Sequence, residues 1–514
     1  MYPLAVGHVT HQEFAEPLAR RSLSTEYTDQ LAELVPPSWR LGRSGIWVHA
    51  LGPADSDTSV SVSLRNQGFK IHLSAAPHCA LRVLDLTVPA CIERGADFKT
   101  IGDPFLHSLL DSKRQPRGHS GKFMTIYPHN DEEFRELIEY LHRLTRHSGV
   151  TGPRILSDRQ YKKNPILFYR YGSINPPRRV LIDGTHETFL ISPTGELIAD
   201  ERLPYFYLPN WIQDPFNKVT KNGADASELL LAGRYLIEAA IGFSNSGGLY
   251  EAVDSHTGNM VIIKEARPWT NCWRPKVRCR DAVSFLRREY SMLKRLHDTG
   301  YTPEPLAIVE DSGHYFLVEQ RIPAISLRTY WARNDVLLAP YIRHPERVES
   351  WMQKFGVIAP GLIRMVLALH QRGVLLGDLS PDNVLIDPDS LKVWVVDLES
   401  AIERTGADPE LMLYGTKWGT PGFLAPERNE RSRLLPQDDF YSIGMILYSG
   451  IAAVTSLFEL DASAIDRFLN KFTQAGLPST VGEVIRSLLK GEATTALHLL
   501  GEDWTTSEDE KTTE

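Results

Sequence analysis

Asp378 and Asn383 stand five positions apart in "GDLSPDNV", and Asp397 ends the Val-rich run "VWVVD". A carboxylate, a carboxamide and a second carboxylate in that order suit phosphoryl transfer from a nucleotide triphosphate to a hydroxyl. Asp378 would receive the acceptor's proton, while Asn383 and Asp397 would grip Mg²⁺ against the phosphates. Upstream, "IGFSNSGGLYEAV" supplies Gly242, Gly247 and Gly248, where bare backbone can crowd over phosphates, and Lys264 follows on a Val/Ile strand. Glu289, in the helical stretch "FLRREYSMLKRL", is the ion-pair partner expected for Lys264. Glu319 opens a hinge, 319–323, whose backbone amides would meet a purine edge, so the donor is ATP or GTP.

A second group of polar residues lies in the first third of the chain. Lys70 and His72 in "GFKIHLSA" are two apart, so a strand would project both from one face. Lys99 sits in "DFKTI", Lys122 in "GKFMTIYP", Arg154 in "GPRILSD" and Arg170 in "FYRYG". Each alone is unremarkable: a Lys-x-His pair on a strand is commonly surface chemistry, and the arginines could pair with Asp158 or Asp183. Together, three lysines, a histidine and two arginines in one cleft would require a polyanion, and phosphate is the natural one. A lysine among such neighbours has a depressed pKa and can act as a base on a weakly acidic C–H.

These residues need scaffolds, and the patterning offers two. Residues 59–75 alternate polar and apolar and read as strands broken at Gly68; 131–147, "DEEFRELIEYLHRLTRH", reads as a helix burying Phe134, Leu137, Ile138, Leu141 and Leu144. Residues 180–198 read as paired strands with Gly turns. The expected organisation is α+β: a first domain over 1–205, a packed connector over 206–229, a second domain over 230–500, and an acidic, disordered tail over 501–514.

The second domain resembles the eukaryotic-type protein kinases. Besides the residues above, "GTPGFLAPERN" carries an APE segment at 425–427 with Glu427 as expected loop anchor, and Asp439 in "DDFYSIGMILYSGI" would tie a buried helix to the catalytic loop. Two signatures are altered: "LGD" stands for HRD, and "DLE" for DFG. The metal ligands survive both changes.

The first domain, through K-x-H, "DFK", "GKFMTIYP", "GPR" and "YRYG", looks like the lyase domain of class III and class IV lanthipeptide synthetases, which is related to the bacterial phosphothreonine lyases. In those synthetases it precedes a kinase domain, the order found here. The resemblance implies a phosphothreonine-lyase-like domain followed by a bilobal kinase. Together they would phosphorylate Ser or Thr in the core of a precursor peptide bearing a leader, then eliminate the phosphate to leave dehydroalanine or dehydrobutyrine. It implies Lys99 as the base, His72 as the acid for the departing phosphate, Lys70 as support for the enolate-like carbonyl or for His72, and Lys122, Arg154 and Arg170 as phosphate ligands. Such synthetases continue into a cyclase domain. Here ring closure is expected from a separate protein or from a truncated segment, and class III and class IV are not distinguished. Two other readings stay open: a regulatory Ser/Thr kinase with a phosphopeptide-binding first domain, and a pseudokinase scaffold.

The bulk numbers describe an ordinary soluble globular protein. The chain has 514 residues, 42% apolar and 23% charged, with a net charge of -8 that argues against a nucleic-acid partner. No signal peptide and no membrane span are expected. Four cysteines (Cys79, Cys91, Cys272 and Cys279) fit neither a zinc site nor a disulfide framework, which suits a reducing cytoplasm.

Overall fold

A computed structural model describes residues 24–501 apart from 54–64, 119, 176, 181, 183–185, 218–229, 274–278, 334–337, 406–407, 455–457, 459–460 and 462. Residues 502–514 of the expected tail, Asp183 and the start of the 59–75 segment lie outside the described residues.

The first half is built on one antiparallel sheet. Its strands are β1 (Arg40–Ser44), β2 (Trp47–Leu51), β3 (Gln67–Leu73), β4 (Asp97–Ile101), β5 (Met124–Tyr127), β6 (Arg159–Gln160) and β7 (Leu167–Ser173), in the order β1-β2-β4-β5-β3-β7-β6. Strand alternation divides its residues between two faces. Register sets Ala50, Phe98, Ile126, Ile71 and Tyr169 side by side across β2, β4, β5, β3 and β7. That row is fully buried in the domain core, where Phe69 stacks on Phe134 of helix Asp131–Thr145 at 5.0 Å. Each Ile or Phe of that core contributes roughly 1.5–3 kcal/mol on burial. Asn130 caps the helix by accepting from Glu132 and Glu133 N–H at 3.0 and 2.9 Å, ahead of an acidic first turn that suits the helix dipole.

One position along, the row reads His49, Lys99, Thr125, His72 and Phe168, and faces the opposite way. The polar residues are therefore gathered by the same register that buries the apolar ones.

Gly68 does not break β3, contrary to the sequence expectation. The strand runs through it, with Gly68 paired opposite Gly172 of β7. Beyond this sheet, β8 (Arg178–Val180), β9 (His186–Ile191) and β10 (Leu197–Ala199) form a small antiparallel meander. Phe206, Leu208, Trp211 and Phe216, from the expected connector, pack on the first core.

The second half is two-lobed. A sheet of β11 (Leu230–Leu231), β12 (Tyr235–Ser244), β13 (Gly247–Asp254), β14 (Met260–Ala266), β15 (Pro305–Asp311) and β16 (His314–Gln320), ordered β11-β12-β13-β14-β16-β15, carries helix Ala282–Leu296. The other lobe is helical, centred on Pro345–Gln371 and Pro436–Ser449. Helix Pro345–Gln371 does have the length and hydropathy of a membrane span, which the sequence reading had not expected. In this fold Trp351, Phe355, Ile358, Leu362, Ile363 and Val366 sit in the lobe's core, and half of the apolar window is buried there.

Candidate active sites

On the polar face of the first sheet, Lys70, His72, Lys122 and Arg170 are each less than a tenth exposed. Burying so many cations requires counter-charge. Asp158 provides it for Lys122, whose Nζ lies at 3.5 Å, and also contacts Nδ1 of His72. Burial opposes ionisation of Asp158, but His72 and Lys122 outweigh it and hold the carboxyl well below its ordinary range. Arg170 is paired with Asp200, and also donates to the Glu201 carbonyl at 2.9 Å. Lys70, directly opposite Arg170 in the β3–β7 ladder, donates to the Ser173 carbonyl at 2.8 Å. Gly172 leaves the room for this: a Cβ there would stand 3.1 Å from both the Lys70 and the Arg170 nitrogens.

Lys99 lies across β5 from His72, with its ammonium 4.6 Å from the centre of the Trp47 ring. Burial, then the charges of Arg202 and Lys122, pull its pKa down to about 8. Lys122 is lowered to about 8 as well, chiefly by burial, with Asp158 opposing. His72 is lowered to about 3: burial and the two neighbouring lysines overcome Asp158, and the ring is neutral without an added anion. This face thus offers three lysines of lowered pKa (Lys70, Lys99 and Lys122), a histidine oriented through Nδ1, and the guanidinium of Arg170.

Five of the six residues expected here share this face. Arg154 does not join them; it donates to the Ser312 carbonyl in the β15–β16 turn at 2.9 Å, because the "GPR" turn packs against the second half of the chain. Lys122 precedes β5 in a turn rather than starting a strand. Sequence reasoning missed Arg202, whose charge acts on Lys70, Lys99 and Lys122, and missed Asp158 as the central counter-ion. Neither belongs to a strand repeat, so no periodicity pointed to them.

In the second site, Lys264 Nζ lies 2.5 Å from Glu289 and 2.9 Å from Asp397. Burial alone would lower the lysine, but Asp397 and Glu289 together raise it. Glu289 also accepts from Leu398 N–H at 2.9 Å, fixing the helix to the metal-ligand turn. Asp397 has φ 61, a left-handed conformation rare outside glycine and typical of strained functional positions. Asp378 accepts from the Thr420 amide and hydroxyl at 2.8 and 2.7 Å, and its carbonyl accepts from Asn383 at 3.0 Å. Burial raises the Asp378 pKa against those hydrogen bonds. Asp439 receives the Leu376 and Gly377 amides at 2.9 and 2.8 Å, fastening the catalytic loop.

Gly247 is obligatory, since a Cβ there would fall 1.7 Å from the Glu265 carbonyl oxygen; Gly242 meets open space. The Glu319 side chain shares the buried face of Lys264, and burial raises its pKa to about 8. Glu427 is exposed; the loop anchor is its neighbour Arg428, 1% exposed, which donates to the Gly415 and Trp418 carbonyls. Gly377, where HRD would have arginine, has φ 77, and a Cβ would meet Leu434 at 2.9 Å.

Among the described residues no three His, Cys, Asp or Glu gather as a metal cage. Asp397 and Asn383 offer two side-chain oxygens to a magnesium, which would take its further oxygens from nucleotide phosphates. Burial disfavours charge on Asp397, but Lys264 and Lys113 hold the carboxylate ionised, as a metal ligand must be.

Residues 27–228 match the RamC N-terminal domain, and residues 235–487 match the protein kinase domain. A probable SapB synthase of Streptomyces coelicolor is 32% identical over 83% of this chain and 43% of its own length. The chain thus joins a RamC-type N-terminal domain to a protein kinase domain, and it is similar to this synthase along most of its own length. The serine/threonine-protein kinase pkn3 of Myxococcus xanthus is 24% identical over 47% of this chain and 41% of its own length. RqkA, a DNA damage-responsive serine/threonine-protein kinase of Deinococcus radiodurans, is 29% identical over 43% of this chain and 30% of its own length. The chain spans less than half the length of these relatives. The kinase likenesses are confined to about half of this chain, whereas the synthase likeness spans most of it.

Proposed function

We propose that the chain dehydrates Ser and Thr residues of a ribosomally made precursor peptide in two steps. The kinase domain, 230–500, moves a phosphoryl group from ATP or GTP to the side-chain hydroxyl, with Asp378 taking the proton. Bound at Asn383 and Asp397, Mg²⁺ would neutralise phosphate charge. The lyase domain, 1–205, then eliminates the phosphate, and 206–229 links the two.

In the elimination, neutral Lys99 takes the α-proton, the Cα–H electron pair becomes the Cα=Cβ bond, and the Cβ–O bond breaks. The phosphate leaves with the Cβ–O bonding pair and takes a proton from His72. His72 is neutral in the free site, so the proton it gives must arrive with the substrate. A phosphate dianion beside it supplies the missing negative charge and raises its pKa. Lys122, Arg170 and Arg202 hold the phosphate, and Lys70 supports the carbonyl as charge develops.

The observation that carries this reading is the gathering of Lys70, His72, Lys99, Lys122 and Arg170 on one sheet face, with Lys99 lowered to about 8. It is tested by incubating the chain with a candidate precursor, Mg²⁺ and nucleotide, and following peptide mass. Wild type should lose water, and Lys99→Ala should accumulate phosphopeptide. Equal phosphopeptide in both would instead favour a regulatory kinase with a phosphopeptide-binding first domain.

A further inference from the structure

The segment 111–117 leaves the lyase domain and enters the kinase cleft. Its backbone is held at every step from 111 to 113. The Asp111 carbonyl accepts from Asn271 N–H at 2.8 Å, the Ser112 carbonyl from the Asn245 side chain at 3.1 Å, and the Lys113 carbonyl from Asn245 N–H at 2.9 Å. Asn245 is the fully buried tip of the Gly-rich β12–β13 turn, and Arg267 clamps it from the other side, donating to its carbonyl at 2.6 Å. Arg117 reaches both Glu265 oxygens at 3.0 Å from one nitrogen and lies over Phe243. The Gly-rich turn is therefore fastened to the lyase domain.

The clamp delivers a cation. Lys113 Nζ lies 2.7 Å from Glu399, the residue standing where DFG would have glycine, and both line a cleft of about 220 Å³ with Gly247, Lys264, Glu289 and Asp397. Burial would lower the Lys113 pKa, but Glu399 and Asp397 raise it, so the ammonium is charged. The next residue, Arg114, feels the charge of Asp378. A carboxylate such as Glu399 beside the phosphate cleft would repel a triphosphate unless a cation offset it. Lys264 is already shared between Glu289 and Asp397.

We propose that Lys113 is a phosphate-binding residue of the kinase site, supplied by the lyase domain, and that Glu399 holds it in place until nucleotide enters. The inference rests on the kinase reading above. It makes the kinase site incomplete without the lyase domain. It also joins the two phosphate sites through a short piece of chain: Asp111 accepts from the Gly121 amide at 2.7 Å, in the turn that carries Lys122.

The test measures binding of a non-hydrolysable nucleotide triphosphate and of the matching diphosphate, each with Mg²⁺, to the full chain by calorimetry. Wild type that binds neither ATP- nor GTP-type ligands would refute the kinase reading itself. If wild type binds, Lys113→Met should weaken the triphosphate about tenfold or more, with a much smaller change for the diphosphate, and Lys113→Arg should restore most of the loss. Glu399→Gln should bind triphosphate as well as wild type or more tightly. Were the pair only a latch between domains, Lys113→Met and Glu399→Gln would show equal losses. That result, or wild-type binding by Lys113→Met, overturns the proposal. Thermal melting of the Arg variant checks that the fold survives substitution at this position.

Discussion

Elimination by Lys99 should leave a particular mark on pH dependence. The amine is pulled down to about 8, against the ordinary lysine value of about 10.4. At pH 7 the neutral fraction is then about one tenth, where an ordinary lysine would offer roughly one part in 2,500, a gain of about 250-fold in available base. Lys122 is also lowered to about 8, and must be protonated to attract phosphate. The productive form, Lys99 neutral and Lys122 charged, is therefore most populated near pH 8. The assay uses a chemically phosphorylated peptide, so no kinase step intervenes, and reads kcat/KM, which reports the free enzyme. The value should peak near pH 8, fall about threefold by pH 7 and about another tenfold by pH 6. Lys122→Met should lose the descending limb and keep the ascending one. Lys99→Ala should cost about 10²–10⁴ in rate, with added small amines restoring part of it. A profile flat from pH 6 to 9, or one still climbing at pH 10, would refute the assignment of Lys99.

Other outcomes follow from the same geometry. Asp158→Asn strips the counter-charge from Lys122 and the carboxylate partner from His72, and should cost about 3–5 kcal/mol in denaturant unfolding at pH 7. Because the Asp158 pKa is depressed, its stabilisation is present above the unfolded value of about 4 and is lost as pH falls further, so wild type and variant should converge in acid. Binding of inorganic phosphate or a phosphopeptide should take up a proton at pH 7, as His72 gains its charge; equal apparent enthalpies in buffers of different ionisation heat would contradict this. Gly377→Arg, which rebuilds the RD pair in sequence, should impair phosphorylation rather than improve it. The site has φ 77, which costs about 1–2 kcal/mol for a side chain, and Leu434 and Arg428 occupy the space beyond. Normal phosphopeptide formation by that variant would refute the argument from backbone strain and crowding at Gly377.

The fold was legible wherever periodicity and burial point the same way. Helix Asp131–Thr145 declares itself by its acidic start and its apolar face, and β3 by Lys70 and His72 on one side with Phe69 and Ile71 on the other. Cross-strand register is a different matter. That Lys99 and His72 both oppose Thr125 depends on the order β4-β5-β3, which no local pattern specifies. Single counter-ions were least legible. Asp158 and Asp200 sit in loops, where many acids occur, and only the folded chain shows which ones meet the buried cations. Arg154 failed for the complementary reason: its turn faces the other half of the protein, and a pattern confined to one domain carries no information about that.

The altered kinase signatures gain a physical sense once the neighbours are known. An arginine before Asp378 commonly holds an activation loop by binding a phosphate placed on it. Here Gly377 removes that arginine, and Arg428, buried beneath, holds the carbonyls of Gly415 and Trp418 directly. Those acceptors are backbone groups, present whether or not the loop is modified, so the loop is held without a phosphate switch. Glu399 follows the same logic. A glycine there would leave Lys113 without its 2.7 Å partner and the lyase segment without that tie to the metal-ligand turn. Both departures exchange a regulated contact for a built-in one. That exchange suits the proposed dehydration, whose second step would follow its first on the same peptide. It also predicts that phosphatase treatment of the chain leaves its nucleotide-dependent activity unchanged. A loss of activity on dephosphorylation, measured as phosphopeptide formed by Lys99→Ala, would show that Arg428 does not hold the loop alone.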